Sequence, residues 1–387
     1  MIKIDFNKCT GCGACVQTCP TKCISWMERD FGFLYPKIDT EKCINCGKCT
    51  KACPINHEFP ISQNQSAYSL INKNRSTLQA STSGGAFSAI AVPFIDKGGI
   101  VYGCAMKDGF KVQHIRVSDL KGISELQGSK YVQSETNTTF SQVKQDLDSD
   151  KEVIFSGTPC QIAGLYRYLG KEYDKLLTVD IVCHGVGSQA YFDKFIEYLK
   201  SKYSTIESIE FRNKKFVGWS CGGVLTVNGK QMPFYNHEHY YYSYFLSGEI
   251  YRKCCYTCSY ANMNRVGDIT IGDFWGIEKL NISADTTDGC SLMLVNTVKG
   301  KEILDVIKNE SIITSVDKNK AIKNNAQLLH PSAFKPSRKK RLHEYNNMSG
   351  KEIQRVYVKT NIKRIIKGKV KVLIPYSIKT KLRKITS

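Results

Sequence analysis

Between residues 68 and 334 the apolar positions change period again and again. Short apolar runs at 100–105, 152–155, 176–182, 206–211 and 268–271 predict strands. Apolar residues recurring every three to four positions predict amphipathic helices over 85–97, 161–169, 190–203 and 301–309. Alternation of this kind reads as an α/β domain with a mixed sheet. The segment 224–234 carries Asn228-Gly229 at its middle and predicts a hairpin inserted into that domain.

The two ends of the chain follow other patterns. Residues 335–387 hold seventeen Lys or Arg against two acids, Glu344 and Glu352, so this stretch supplies +15 of the net +20. Its apolar residues Ile362, Ile365, Ile366 and Leu373, then Ile378, Leu382 and Ile385, have helical spacing with a break at Pro375. That is the pattern of a basic helix on an anionic membrane surface, or of a helix packed on the body with solvated cations. The rest of the chain is nearly balanced, which speaks against a nucleic-acid partner. At 387 residues the chain can support two or three domains with a sizeable core.

Seventeen cysteines change the picture. The start Met1-Ile2-Lys3-Ile4-Asp5 lacks a signal-peptide apolar region, and no run of about 18 apolar residues predicts a membrane span. The expected setting is a reducing cytoplasm, where thiolates stay available to metal. Two runs, Cys9-x2-Cys12-x2-Cys15-x3-Cys19-Pro20 and Cys43-x2-Cys46-x2-Cys49-x3-Cys53-Pro54, repeat the spacing of a bacterial two-cluster ferredoxin. In that pattern the fourth cysteine of each run serves the other cluster. Cys9, Cys12, Cys15 and Cys53 are therefore assigned to one 4Fe-4S cluster, and Cys43, Cys46, Cys49 and Cys19 to the second. Disulfides or zinc are the competing readings, but zinc sites pair C-x2-C motifs rather than repeat an eight-cysteine run. Cys23 lies outside the pattern and reads as a small buried residue. The predicted organisation is a two-cluster ferredoxin domain (1–57), a linker (58–67), an α/β domain (68–334) and a basic helical tail (335–387).

Within the α/β domain, Ser83-Gly84-Gly85 precedes an apolar helix and suits close approach of a phosphate, or an ordinary N-cap. Cys160 and Cys183 each follow a predicted strand, where loops collect functional groups. Cys255 and Cys258 form a C-x2-C pair. Four thiols delivered this way could hold a third 4Fe-4S cluster, with zinc or plain burial as alternatives. Cys104, Cys221 and Cys290 read as core. No G-x-G-x-x-G fingerprint supports direct use of a nicotinamide dinucleotide.

The ordered motifs Ser83-Gly84-Gly85-Ala86-Phe87-Ser88, Gly128-Ser129-Lys130-Tyr131-Val132, Ser156-Gly157-Thr158-Pro159-Cys160-Gln161, Val182-Cys183-His184-Gly185-Val186 and Cys255-x2-Cys258 with Gly267-Asp268 to Gly276 resemble the coenzyme F420 hydrogenase/dehydrogenase beta subunit family. The resemblance covers about residues 1–340. It implies an FAD-binding α/β domain with a cluster beside the flavin, ligated by Cys160, Cys183, Cys255 and Cys258. It makes Ser83, Gly84 and Gly85 candidates for the FAD diphosphate loop and Lys130 a cation beside the flavin, where it would stabilise a reduced ring; a solvated surface lysine is the alternative. His184 is a candidate proton relay or a core histidine, Trp275 reads as structural, and the roles of Asp268 and Asp273 stay open. Gly187 departs from the proline usual in bacterial members. A fused ferredoxin unit and the region Gln327 to Arg341 look similar to bacterial proteins found among surface-polysaccharide genes. The function so implied is an FAD and iron-sulfur oxidoreductase. It would take electrons from a donor such as ferredoxin and pass them to an organic acceptor, with an electron-transfer subunit serving a partner enzyme as the alternative.

Overall fold

The computed structural model describes residues 2–59, 65–280 and 282–373, with side chains to 370. Near the N-terminus, β1 (Ile24–Arg29) and β2 (Phe33–Ile38) pair as an antiparallel hairpin, Ile24 opposite Ile38. The two cysteine runs flank this hairpin. Each enters a one-turn helix, Ala14–Gln17 or Lys48–Lys51, through a glycine at positive φ, Gly13 at 85° and Gly47 at 73°. Glycine reaches that conformation without the Cβ clash that penalises other residues, so the motif's glycines turn the chain around each set of thiols.

The body follows with β3 (Ser66–Asn72), β4 (Ile100–Lys107), β5 (Lys111–Val117), β6 (Val153–Gly157) and β7 (Leu176–Ile181). Three further strands, β8 (Ile206–Glu210), β9 (Gly222–Val227) and β10 (Lys230–Tyr235), make a separate antiparallel sheet in the order β10-β9-β8. The chain then returns through β11 (Ile269–Asp273), β12 (Ser291–Val295) and β13 (Ser311–Val316). The main sheet runs β13-β3-β12-β11-β7-β6-β4-β5. Its centre, β4, β6, β7 and β11, is parallel, and its edges are antiparallel. Every residue of β6 and β12 is buried, as continuous apolar runs covered on both faces require. Asn228 and Gly229, at φ 49° and 74°, form the expected two-residue turn. The strand predicted at 206–211 pairs with this hairpin, so the hairpin extends a second sheet and is not part of the main one.

The predicted helices appear as Ala86–Asp96, Pro159–Leu169, Gln189–Lys202 and Val298–Ile307. The expected linker overlaps β3, which starts at Ser66; residues 60–64 lie outside the described residues. The basic region is not an appendage over its described length. Helix Ser337–Asn347 buries Arg338 and Glu344. The helix Gly350–Leu373 contributes Ile353, Tyr357 and Ile365 to the largest core cluster. Arg341 is held by Glu249 at 2.7 Å and by Glu344 at 2.8 Å, so part of the positive excess is spent inside the fold. Pro375, Ile378, Leu382 and Ile385 lie outside the described residues, as does the side chain of Leu373. No described helix is long and apolar enough to cross a membrane.

Candidate functional site

Parallel strands deliver their carboxyl ends to one edge of the sheet, where α/β folds collect ligand groups. From β6 the chain passes through Thr158 into the helix Pro159–Leu169, and Gln161 Oε1 accepts from the Thr158 amide at 3.0 Å. Gln161 Nε2 donates to Ser134 O and Oγ at 3.1 and 3.0 Å, which locks the turn that carries Cys160. From β7 the chain passes into Cys183 and His184, and from β11 into Asp273 and Trp275.

These loops border one cavity of about 530 Å³. Cys160, Cys183, Cys255 and Cys258 all line it, so the four thiols read from separate motifs are brought together. Burial drives the Cys160 and Cys258 thiols above their ordinary range and pushes Cys183 up to about 12. Cys258 and Cys183 each add to the rise at Cys160. An isolated thiolate is penalised here, and binding to a metal relieves that penalty by dispersing the charge. Cys254, beside the pair, also lines the cavity.

In the N-terminal unit, burial pushes Cys12 up to about 12, with Cys9 and Cys53 adding to the rise, and burial also raises Cys15, with Cys12, Cys9, Cys53 and Cys49 adding to it. A separate small cavity of about 20 Å³ is lined by Cys19, Cys43, Cys46 and Cys49. Cys23 is buried, with its sulfur 3.4 Å from Cys19 Sγ. All the cysteines are free thiols. Among the described residues no three donors close on a single-ion site.

At the far side of the large cavity, Ser81 to Gly85 lead into the helix Ala86–Asp96. Gly84 is wedged between strands: a Cβ there would stand 2.0 Å from Leu70 O and 2.4 Å from Ser291 N. Ser83 donates its hydroxyl to Cys290 O at 2.7 Å, and Ser129 Oγ donates to Thr82 Oγ1 at 3.3 Å beside the cavity. Lys130 is not a solvated surface lysine. It is half-buried, donates to Glu125 O at 2.9 Å and Gln127 O at 2.5 Å, and burial lowers its pKa. His184 is exposed along the cavity lining rather than held in the core. Cys104 and Cys221 border the cavity and are half-buried, whereas Cys290 is core as expected.

Arg212, which the sequence did not mark, lines the cavity beside Asp273 and Trp275. Asp273 accepts from Arg212 at 2.5 and 3.1 Å and from Trp219 Nε1 at 2.9 Å. Trp219 stacks on Trp275 at 5.2 Å and 4°, so Trp275 is part of a cavity wall. Asp268 is structural, accepting from Thr178 N and Oγ1 at 2.8 Å. Arg212 and Lys214 lie in the run Arg212-Asn213-Lys214-Lys215, where nothing distinguishes them from solvated cations; a basic residue beside a cysteine cluster, as at Arg252, is a signal that was available.

A ferredoxin-like unit docked on an α/β body with a thiol-lined cavity is the architecture of an iron-sulfur electron-transfer protein. Residues 150–321 match the family described as the C terminus of the coenzyme F420 hydrogenase/dehydrogenase beta subunit, and residues 8–57 and 35–86 match 4Fe-4S dicluster domains. The chain thus carries matches to 4Fe-4S dicluster domains near its N-terminus and, over residues 150–321, to that beta subunit family. Among solved structures, a chain of the F420-reducing [NiFe] hydrogenase complex from Methanosarcina barkeri, in a xenon-derivatised form, is similar at 15% identity. The match has a TM-score of 0.45 and covers 76% of this chain and 91% of that one. No curated protein matches.

Proposed function

We propose that the chain is an FAD and iron-sulfur oxidoreductase that takes single electrons from a ferredoxin-type donor and reduces an organic acceptor. The observation that carries this reading is that one cavity is lined by Cys160, Cys183, Cys255 and Cys258, by Ser83 and Gly85 and by Lys130. Its volume of about 530 Å³ falls in the range of small-molecule and cofactor sites. When bound, FAD supplies two-electron hydride chemistry and the clusters supply one-electron steps.

The chain's own groups have definable tasks in this reading. The amides after Gly85 and the Thr82 and Ser129 hydroxyls would hold a diphosphate at the positive end of the helix Ala86–Asp96. The Lys130 ammonium, fixed by two carbonyls, would offset negative charge on a reduced ring. The Trp219-Trp275 stack and the Arg212-Asp273 pair shape the acceptor side, where the exposed His184 ring can hold or release a proton. Outside the cavity, Ile362, Ile366 and Val370 form an exposed stripe beside Lys363 and Lys367, which supports contact with an anionic membrane surface.

The deciding experiment is iron and flavin content per chain after anaerobic purification. About 12 iron atoms with one FAD are expected. About eight iron with no flavin would withdraw the reductase reading and leave an electron carrier.

A further inference from the structure

Arg252 stands three residues before Cys255, among the residues that line the large cavity, and its guanidinium reaches the ferredoxin unit. It is 1% exposed, the bulkiest fully buried side chain of the protein. Nε donates to Cys9 O at 2.8 Å, Nη1 to Gln133 Oε1 at 3.1 Å and Nη2 to Leu34 O at 2.8 Å, with Cys9 Sγ 3.9 Å from Nη2. The group sits 4.0 Å from the centroid of Tyr35 and lies so close to Gly11 that a Cβ there would meet Cζ at 2.9 Å.

None of these partners is a carboxylate. Other buried arginines have one: Arg265 is 2.8 Å from Asp180, Arg212 is 2.5 Å from Asp273, and Arg338 is 3.8 Å from Asp30. Among the described residues no carboxylate lies within 4.0 Å of the Arg252 guanidinium. A fully buried cation without an anion is costly, and such charges survive when something compensates them. The negative groups beside it are the thiolate set of Cys9, Cys12, Cys15 and Cys53, whose four charges outweigh those of a 4Fe-4S core, and the Cys254 thiol, whose pKa is lowered by its hydrogen bond to Cys255 and by Arg252.

We infer that Arg252 is the counter-cation of the cluster held by Cys9, Cys12, Cys15 and Cys53, and that it selectively raises that cluster's reduction potential. The inference rests on the proposal that these cysteines carry a cluster. Each electron accepted makes the cluster more negative, so a fixed positive charge and a donor aimed at a ligand sulfur favour the reduced form. The residue is placed to matter for direction. Thr10, next to Cys9, lines the large cavity together with Tyr260, so this set faces the cavity. The second set includes the exposed Cys46 and faces solvent. An electron given by a ferredoxin-type donor at the outer cluster moves inward by oxidising that cluster by one electron and reducing the inner one by one, with no proton or bond exchanged. Arg252 makes this inward step more favourable. The Arg252 amide also donates to Val186 O at 3.0 Å, so one segment joins the inner cluster, the Cys183 loop and the C-x2-C pair.

The test is a redox titration of the full chain, followed by EPR, on the wild type, Arg252→Lys, Arg252→Gln and Gln133→Glu. Arg252→Gln removes the charge, and Gln133→Glu places a carboxylate against a retained guanidinium, so the second variant decides if the first loses iron. Both are expected to shift one ferredoxin-cluster potential downward and leave the other in place, with Arg252→Lys close to the wild type. Potentials that do not move, or that move equally for both clusters, overturn the inference. A wild type without two ferredoxin-type signals would instead sink the reading on which it rests.

Discussion

Gly164 lies against Cys12 across the join between body and ferredoxin unit: a Cβ built on the glycine would stand 2.9 Å from the cysteine sulfur and 3.0 Å from its Cβ. Replacing an interior helical glycine by alanine ordinarily stabilises by about 0.5–1 kcal/mol. Here Gly164→Ala is expected to displace Cys12 and cost one cube, about four iron atoms per chain. Iron analysis checks this; full iron content with raised stability would contradict it.

Cys254 and Cys255 are neighbours at the same cavity, yet only Cys255 belongs to the C-x2-C pair. Cys255→Ser and Cys160→Ser are expected each to remove about four iron atoms while leaving the ferredoxin signals intact. Cys254→Ser should retain all the iron. The reverse outcome at 254 and 255 would reassign the ligand.

Lys130 is expected to act on flavin and not on iron. Lys130→Met removes one charge-assisted hydrogen bond of about 1.5–3 kcal/mol, so FAD affinity should fall by on the order of tenfold or more. Flavin titration of the reconstituted variant reads this directly, and unchanged affinity would remove Lys130 from the site.

His114 is 3% exposed, and burial lowers its pKa to about 4. Its Nε2 lies 3.0 Å from Ser156 O, and the ring stacks on Phe155 at 5.1 Å. The native state therefore resists protonation, while the unfolded chain takes up a proton near pH 6.5. Stability attached to this group is present above about 6.5 and lost as the pH falls toward 4, by on the order of 3 kcal/mol. His114→Gln should flatten that part of the acid-denaturation profile; an unchanged slope between wild type and variant would rule the group out.

The stripe Ile362, Ile366 and Val370 gives a separate expectation. Full-length protein should sediment with anionic liposomes at low salt, and Ile366→Asp should weaken that at least severalfold. Failure of the wild type to sediment would end the membrane reading.

Much of the chemistry was legible because it is local. Cluster spacing is dictated by how far one loop can wrap a cube, so Cys9 to Cys19 and Cys43 to Cys53 could be read without a fold. The parallel strands were visible as apolar runs, and the Asn228-Gly229 turn as two residues tolerant of positive φ. The edge strand β5 was not, because Lys111, Gln113 and Arg116 interrupt its apolar face. Cations misled in both directions. Residues 335–387 looked like an appendage by count alone, although Ile353 and Tyr357 anchor the helix in the core. Arg212 looked ordinary because burial and partners belong to tertiary structure, which no spacing encodes.

The seam between the ferredoxin unit and the body bears on how the protein is made. Gln133 reaches Thr10 O at 2.8 Å, Thr136 reaches Cys12 O at 2.9 Å and Arg252 reaches Cys9 O at 2.8 Å, so the body closes directly over one thiol set. Iron and sulfide for that set must be delivered before or during closure. Maturation of this protein is thus an ordered assembly: a chain folded without its inner cluster would have to reopen that seam before it could be loaded, whereas the outer set, with Cys46 at the surface, stays within reach of late repair.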